Sequence, residues 1–280
     1  MTLSIIPPPA RKSRVARIAG IVLAAITLPG LAAASLTSAA SPELTLSHVV
    51  VMPTHSVIVN KTAHPCPSNM AHVGTSCVDK YEGSLVEIHE NGTETAFSAH
   101  ESPNGHHVRA VSRPGVVPQG HISMIEAKRA CEASGKRLCK PAEWKKACQG
   151  PEPKKFGYSD TREPGKCNDT GKSPVGTFFG AEVAAGKAWT WDIMNDPQLN
   201  QMAGGLAETG SHPECTNGYG VHDMVGNLHE WVLDPKGTFQ GGYYLDVTQN
   251  GDGCGYRTDA HEAWYHDYST GFRCCADVAQ

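Results

Sequence analysis

Ten cysteines, fourteen histidines and one Gly-Asn turn followed by a glutamate are the parts of this 280-residue chain that could do chemistry. The cysteines are Cys66, Cys77, Cys131, Cys139, Cys148, Cys167, Cys215, Cys254, Cys274 and Cys275. Their number is even and no C-x-x-C knuckle occurs, so disulfides are the stronger reading and zinc the weaker one. His261-Glu-Ala-Trp-Tyr-His266 invites comparison with a zinc-protease helix, but its histidines are five residues apart. Two imidazoles share a helical face when four apart, so that chemistry is set aside. The other histidines are scattered and read as surface or hydrogen-bonded residues.

A sharper metal reading attaches to Asp223-Met-Val-Gly-Asn-Leu-His-Glu-Trp231. The turn offers an amide oxygen at Asn227, backbone carbonyls at Gly226 and Leu228, and a carboxylate at Glu230. Calcium takes oxygen ligands of this kind. The competing reading is a structural turn with Glu230 in a salt bridge. Asn168-Asp169 and Asn195-Asp196 offer a similar but less complete oxygen set. No Walker loop, dinucleotide fingerprint, G-x-S-x-G elbow or internal repeat is present.

The elements that must position these residues are few. Ser123-Met-Ile-Glu126 is a capping box, in which each side chain satisfies a free backbone N–H. Ala127, Ala130 and Cys131 continue a helical face from it, and Gly135 ends the helix. A second helix is predicted from Pro141 to Cys148, with Gly150 just beyond. Trp144 and Cys148 lie four apart and share one face. Asn91–Gly120 is rich in Gly, Pro, Ser and His and reads as a long surface loop. Past Gly150 the helical period disappears, and short alternating stretches such as Gly176–Phe179 and Gly237–Phe239 recur among turn residues. Two helices inside a loop-rich, strand-poor body bury little regular structure, so disulfides and metal ions are expected to help order it.

At the N-terminus, Arg11, Lys12, Arg14 and Arg17 precede the apolar run Ile18–Leu28, and small residues follow at Ala32–Ala34 and Ser38–Ala40. Basic head, short apolar middle and small-residue exit are the parts of a secretory signal, assigned to residues 1–40. The apolar run of about ten residues is too short to cross a bilayer, and no later segment of the sequence reads as a span. Residues 41–65, with Pro53 interrupting a Val/Ile-rich stretch, read as a linker holding at most an edge strand. The four basic leader residues account for part of the formal charge of −4; without them 20 Lys+Arg face 28 Asp+Glu, a net −8. Such a balance is no footprint for nucleic acid or an anionic membrane. The chain is therefore expected to be secreted or held in the periplasm or cell envelope, where disulfides persist.

Three segments in order resemble one family. They are Ser134-Gly-Lys-Arg-Leu-Cys-Lys-Pro-Ala-Glu-Trp-Lys-Lys-Ala-Cys148, Asn217-Gly-Tyr-Gly-Val-His-Asp-Met-Val-Gly-Asn-Leu-His-Glu-Trp231, and Gly241-Gly-Tyr-Tyr244 with Gly271-Phe-Arg-Cys274. They are similar to G-K-R-L-P-T-E-A-E-W, G-L-Y-D-M-x-G-N-x-W-E-W, R-G-G-S and G-F-R-C of the formylglycine-generating enzymes, or sulfatase-modifying factors. The resemblance spans about residues 66–278. It implies an α+β fold, an irregular, loop-rich and disulfide-stapled variant of the C-type lectin fold. It implies calcium at Gly226, Asn227, Leu228 and Glu230, and the pairs Cys131–Cys274 and Cys148–Cys254. Cys66–Cys77 reads as a local bridge; Cys139, Cys167, Cys215 and Cys275 are left without assigned partners.

The family's chemistry varies, so the resemblance fixes fold better than reaction. Oxidase members bind copper through two cysteines spaced C-x-x-x-x-C beyond the paired glycines, and a soft thiolate pair suits Cu(I). Here Asp246 stands at the first position, Cys254 lies near the second, and Tyr243 replaces the serine. Copper is accordingly not expected. Members that join sulfur to histidine derivatives carry their iron ligands in an added N-terminal domain, for which this chain has no room. Two readings remain: a non-catalytic binding or envelope-associated module for a protein, peptide or small-molecule ligand, and a divergent, metal- and oxygen-dependent oxidoreductase. Both use a groove near Tyr243, Asp246, Cys254, Arg257 and His261. A free thiol at Cys254 favours the enzyme, and a disulfide there favours the module.

Overall fold

The computed structural model describes residues 65–259 and 261–278. The leader assigned to 1–40 and all but the end of the linker assigned to 41–65 lie outside the described residues.

Capping chemistry places the two principal helices. Helix α1, Met124–Glu132, starts from Ser123: the Ser123 hydroxyl accepts from the Glu126 N–H at 3.3 Å, and the Glu126 carboxylate accepts from the Ser123 N–H at 2.8 Å. Helix α2, Pro141–Gln149, begins on its proline and stops at Gly150, whose φ of +83° suits glycine. The inward faces bury Ala127, Ala130 and Cys131 on α1 and Trp144, Ala147 and Cys148 on α2. Three shorter helices follow: α3 (Pro174–Phe178), α4 (Gly180–Ala184) and α5 (Trp191–Met194). The first of these corrects the expected alternating stretch at Gly176–Phe179. Ser173 accepts from the Gly176 N–H at 3.0 Å and Pro174 occupies the first helical position, so the segment coils.

Strands are short but more frequent than expected. β1 (Met70–Val73), β2 (Ser76–Asp79), β6 (Arg137–Leu138) and β11 (Cys274–Asp277) form one antiparallel sheet in the order β1-β2-β11-β6. β3 (Ser84–Ile88) lies between β4 (Glu94–Ala96) and β5 (Val108–Val111) in a second sheet. Thus the segment expected to be one long loop, Asn91–Gly120, contributes two strands. The third sheet has the order β10-β7-β8-β9, from Thr270–Phe272, His229–Trp231, Phe239–Gln240 and Arg257–Thr258. Its β10–β7 pair is parallel, setting Gly271 opposite Glu230.

Five disulfides staple this framework: Cys66–Cys77, Cys131–Cys274, Cys139–Cys275, Cys148–Cys254 and Cys167–Cys215. The core is built around them. Trp144, Phe156, Val221 and Val232 pack with Cys148–Cys254 and Cys167–Cys215. Ile122, Leu138 and Phe272 pack with Cys131–Cys274. Among the described residues no helix is long and apolar enough to cross a membrane.

Candidate functional site

The floor of the candidate site is the third sheet. Strand alternation turns successive side chains of β7 to opposite sides. Glu230 faces the core and His229 faces a pocket of about 210 Å³. Phe239 on β8, Tyr256 and Thr258 around β9, and the loops bearing Tyr243, Asp246, His261 and Asp267 close the walls.

Two glycines permit this shape. Gly241 and Gly242 have φ of +90° and +72°, and a Cβ on Gly242 would stand 2.3 Å from the Asp246 carbonyl oxygen. After them the chain makes a tight turn: the Tyr243 N–H donates to the Asp246 carbonyl at 2.9 Å, and the Asp246 N–H to the Tyr243 carbonyl at 3.0 Å. That turn carries the Tyr243 ring and the Asp246 carboxyl group to the pocket. Asp246 Oδ1 then accepts from the N–H groups of Thr248 and Gln249 at 2.9 and 3.0 Å. Partial burial opposes ionisation of Asp246, but these N–H donors and the Tyr256 phenol outweigh it and hold the carboxyl below its usual range. Its Oδ2 is buried without a hydrogen bond of normal geometry.

Aromatic rings make up most of the wall. His229 lies 4.6 Å from Phe239, 4.6 Å from Tyr243 and 5.4 Å from Tyr256 between ring centroids. His261 stacks on Phe239 at 5.3 Å and on Tyr265 at 4.1 Å. His229 is 6% exposed, and its Nδ1 has no hydrogen-bond partner. Burial pulls its pKa down to about 4, with Asp267 and Asp246 opposing only in part, so the ring is neutral near pH 7. Burial likewise lowers His261. Asp267 is held in place by Tyr265, whose hydroxyl donates to Oδ2, and by Ser269, whose N–H and hydroxyl donate to Oδ1 at 2.8 and 2.7 Å.

Of the groove residues named from sequence, Tyr243, Asp246 and His261 line the pocket. Arg257 flanks it and is engaged elsewhere, with Asp234 at 3.1 Å and Asp259 at 3.8 Å. Cys254 does not belong to the groove: it is 1% exposed in the core and bonded to Cys148. His229 and Asp267 were missed. The signal for His229 was the two-residue alternation through Leu228-His-Glu-Trp231, which sends it away from Glu230.

The turn read as a calcium site has its side-chain oxygens engaged by protein donors. Arg273 donates to both Glu230 oxygens at 2.6 Å, and the Trp144 indole N–H donates to Oε2 at 2.6 Å. Asn227 Oδ1 accepts from the Asn168 side-chain amide at 2.8 Å and the Ala207 N–H at 3.0 Å. The Asn227 amide group and the Leu228 N–H in turn donate to the Glu82 carboxyl. Within this turn Glu230 is ion-paired with Arg273. Asn168 is a partner of this turn, whereas Asp169 pairs with Arg162 at 2.6 Å. Asn195 Oδ1 accepts from the His266 ring Nδ1 at 2.6 Å.

All ten cysteines are paired, and residues 56–278 match the family described as sulfatase-modifying factor enzyme 1-like domain. The chain belongs to that family. The match opens ten residues before the domain start assigned from motifs. Mixed helix and strand, abundant loops and five disulfides make this member a C-type-lectin-like fold, the class the motifs implied. Among solved structures, "Crystal Structure of CarF" shares 16% identity at a TM-score of 0.41, over 73% of this chain and 87% of that one. The Major Tropism Determinant P3c variant shares 12% at a TM-score of 0.40, over 76% of this chain and 53% of that one. The U1 variant shares 13% at 0.40, over 76% and 54%. The chain thus spans about half the length of the two tropism determinants. No curated protein matches the sequence.

Proposed function

We propose that this member of the sulfatase-modifying factor family is an exported binding module, secreted or retained in the periplasm or cell envelope, that holds its ligand in the pocket over β7–β9. The Cys148–Cys254 disulfide carries this reading. The oxidases it resembles need two thiolates for Cu(I). Here one position is Asp246 and the other sulfur is bonded in the core. Five disulfides fit an oxidising compartment, and the leader-like N-terminal sequence fits export. Calcium has no place at the Asn227–Glu230 turn in this reading, because Arg273 and Trp144 fill the Glu230 oxygens.

The test is a peptide assay. The mature protein, given Cu(I) and a peptide of pattern C-x-P-x-R under oxygen, is expected to leave the peptide mass unchanged. It is also expected to show no tight Cu(I) binding by titration. Conversion of the peptide cysteine to the aldehyde would overturn the proposal in favour of the divergent oxidoreductase.

A further inference from the structure

We infer that the pocket receives the head group of a small quaternary ammonium compound, set against aromatic faces and the charges of Asp246 and Asp267. The inference rests on the binding-module reading and names its ligand class.

Charge comes first. The pocket lining includes two carboxyl groups and neither lysine nor arginine. The neighbouring cation, Arg257, is already turned to Asp234 and Asp259. Both lining histidines are held toward their neutral forms by burial, so neither repels a cation near pH 7. Two negative charges face a cavity with no cation of the chain's own.

The walls come second. Rings of Tyr243, Tyr256, Phe239 and Tyr268 surround the cavity, and Trp189 stands at its edge 57% exposed. A cation over such faces gains about 0.5–1 kcal/mol when exposed and about 2 when desolvated. At about 210 Å³ the cavity is smaller than the roughly 300 Å³ at which drug-sized sites begin, so it fits a head group.

Hydrogen-bond capacity then selects among cations. Both Asp267 oxygens are engaged by Tyr265 and Ser269. Asp246 Oδ1 already accepts from Thr248 and Gln249, and the Tyr256 phenol also binds the carboxyl group. A guanidinium or primary ammonium brings several N–H donors that the two carboxyl groups cannot satisfy, and an unmet donor is costly when buried. A quaternary ammonium brings charge without donors.

Calorimetric titration of the mature protein with choline, with 3,3-dimethylbutanol as its neutral isostere, and with guanidinium tests this. Choline is expected to bind saturably in the millimolar range or tighter, and both comparison compounds at least about tenfold more weakly. Asp246→Asn keeps the Oδ1 acceptor and removes the charge; it is expected to weaken choline at least about tenfold with melting unchanged. Tyr243→Leu, which removes one face, is expected to weaken choline too. Equal binding of the isostere or of guanidinium, absence of saturable choline binding, or an unaffected Asp246→Asn would overturn the inference. None of these touches the binding-module reading, which the peptide assay decides.

Discussion

Arg273, fully buried, answers three buried carboxyl groups: Glu230 directly, and Glu82 and Asp223 through space. Removing one partner of a buried pair strands the other, at about 3–5 kcal/mol. Glu230→Gln is therefore expected to lower unfolding stability by about that amount in urea denaturation, with no response to calcium or chelator in either protein. A loss below about 1 kcal/mol, or a calcium-dependent rise in melting temperature that Glu230→Gln abolishes, would contradict the arrangement. Asp223 gives a pH signature. Burial, only partly offset by the Gly210 N–H and Arg273, raises its pKa from 3.8 to about 6. A carboxyl raised on folding adds stability that is complete below pH 4 and lost as pH climbs through about 6. Glu82, raised by burial and by its acidic neighbours, acts in the same direction. Asp223→Asn can keep the bond from the Gly210 N–H. Its stability relative to wild type is expected to rise by up to about 3 kcal/mol between pH 4 and 7. A constant difference would refute the assignment. The motif made Glu230 legible as a metal ligand or a salt-bridge partner, but not which residue pairs with it. Arg273 lies on the segment leading out of β10, brought beside β7 by a parallel pairing that no local pattern announces.

At the scale of elements, β11 presents Cys274 and Cys275 in succession, one tied to α1 and the other to the segment before α2. Each bridge spans more than a hundred residues, 143 and 136 in separation. Taken alone, either is worth about 5 kcal/mol on the chain-entropy account. With one intact, however, the other closes only a short covalent circuit, because Cys131 and Cys139 are eight residues apart and Cys274 and Cys275 adjacent. Replacing either pair by alanine is expected to cost about 2–3 kcal/mol and replacing both about 6, because Cys148–Cys254 still closes a circuit of about thirty residues. Additive losses of about 5 kcal/mol each in urea denaturation would sink the argument. Both long helices were readable because caps are local: Ser123 with Glu126, and Pro141 with Gly150. Helix α3 carried the same kind of signal in Ser173-Pro174, outweighed by the turn residues around it. β4 and β5 were hidden because β4 is three exposed residues and β5 is mostly half-buried, so no alternation marks them.

For the whole molecule, the acidic balance and even cysteine count were legible, and the fold class followed from a few separated motifs. The pocket was legible only in part, since Tyr243 and Asp246 lie beside a recognisable pair of glycines whereas His229 and Asp267 come from separate strands and loops. One feature of the first sheet bears on time. β11, the last strand described, lies between β2 and β6, and its Ala276 stands opposite Cys77 from the opening hairpin. A chain synthesised N-terminus first must therefore hold β1, β2 and β6 without their central partner until Cys274–Asp277 has emerged. Pairings so distant in sequence form slowly, because loop closure must precede the contacts that reward it. Until β11 emerges, Cys131 and Cys139 lack their native partners, Cys274 and Cys275. Any oxidant acting early finds Cys66 and Cys77, eleven residues apart, as the one native pair close in sequence.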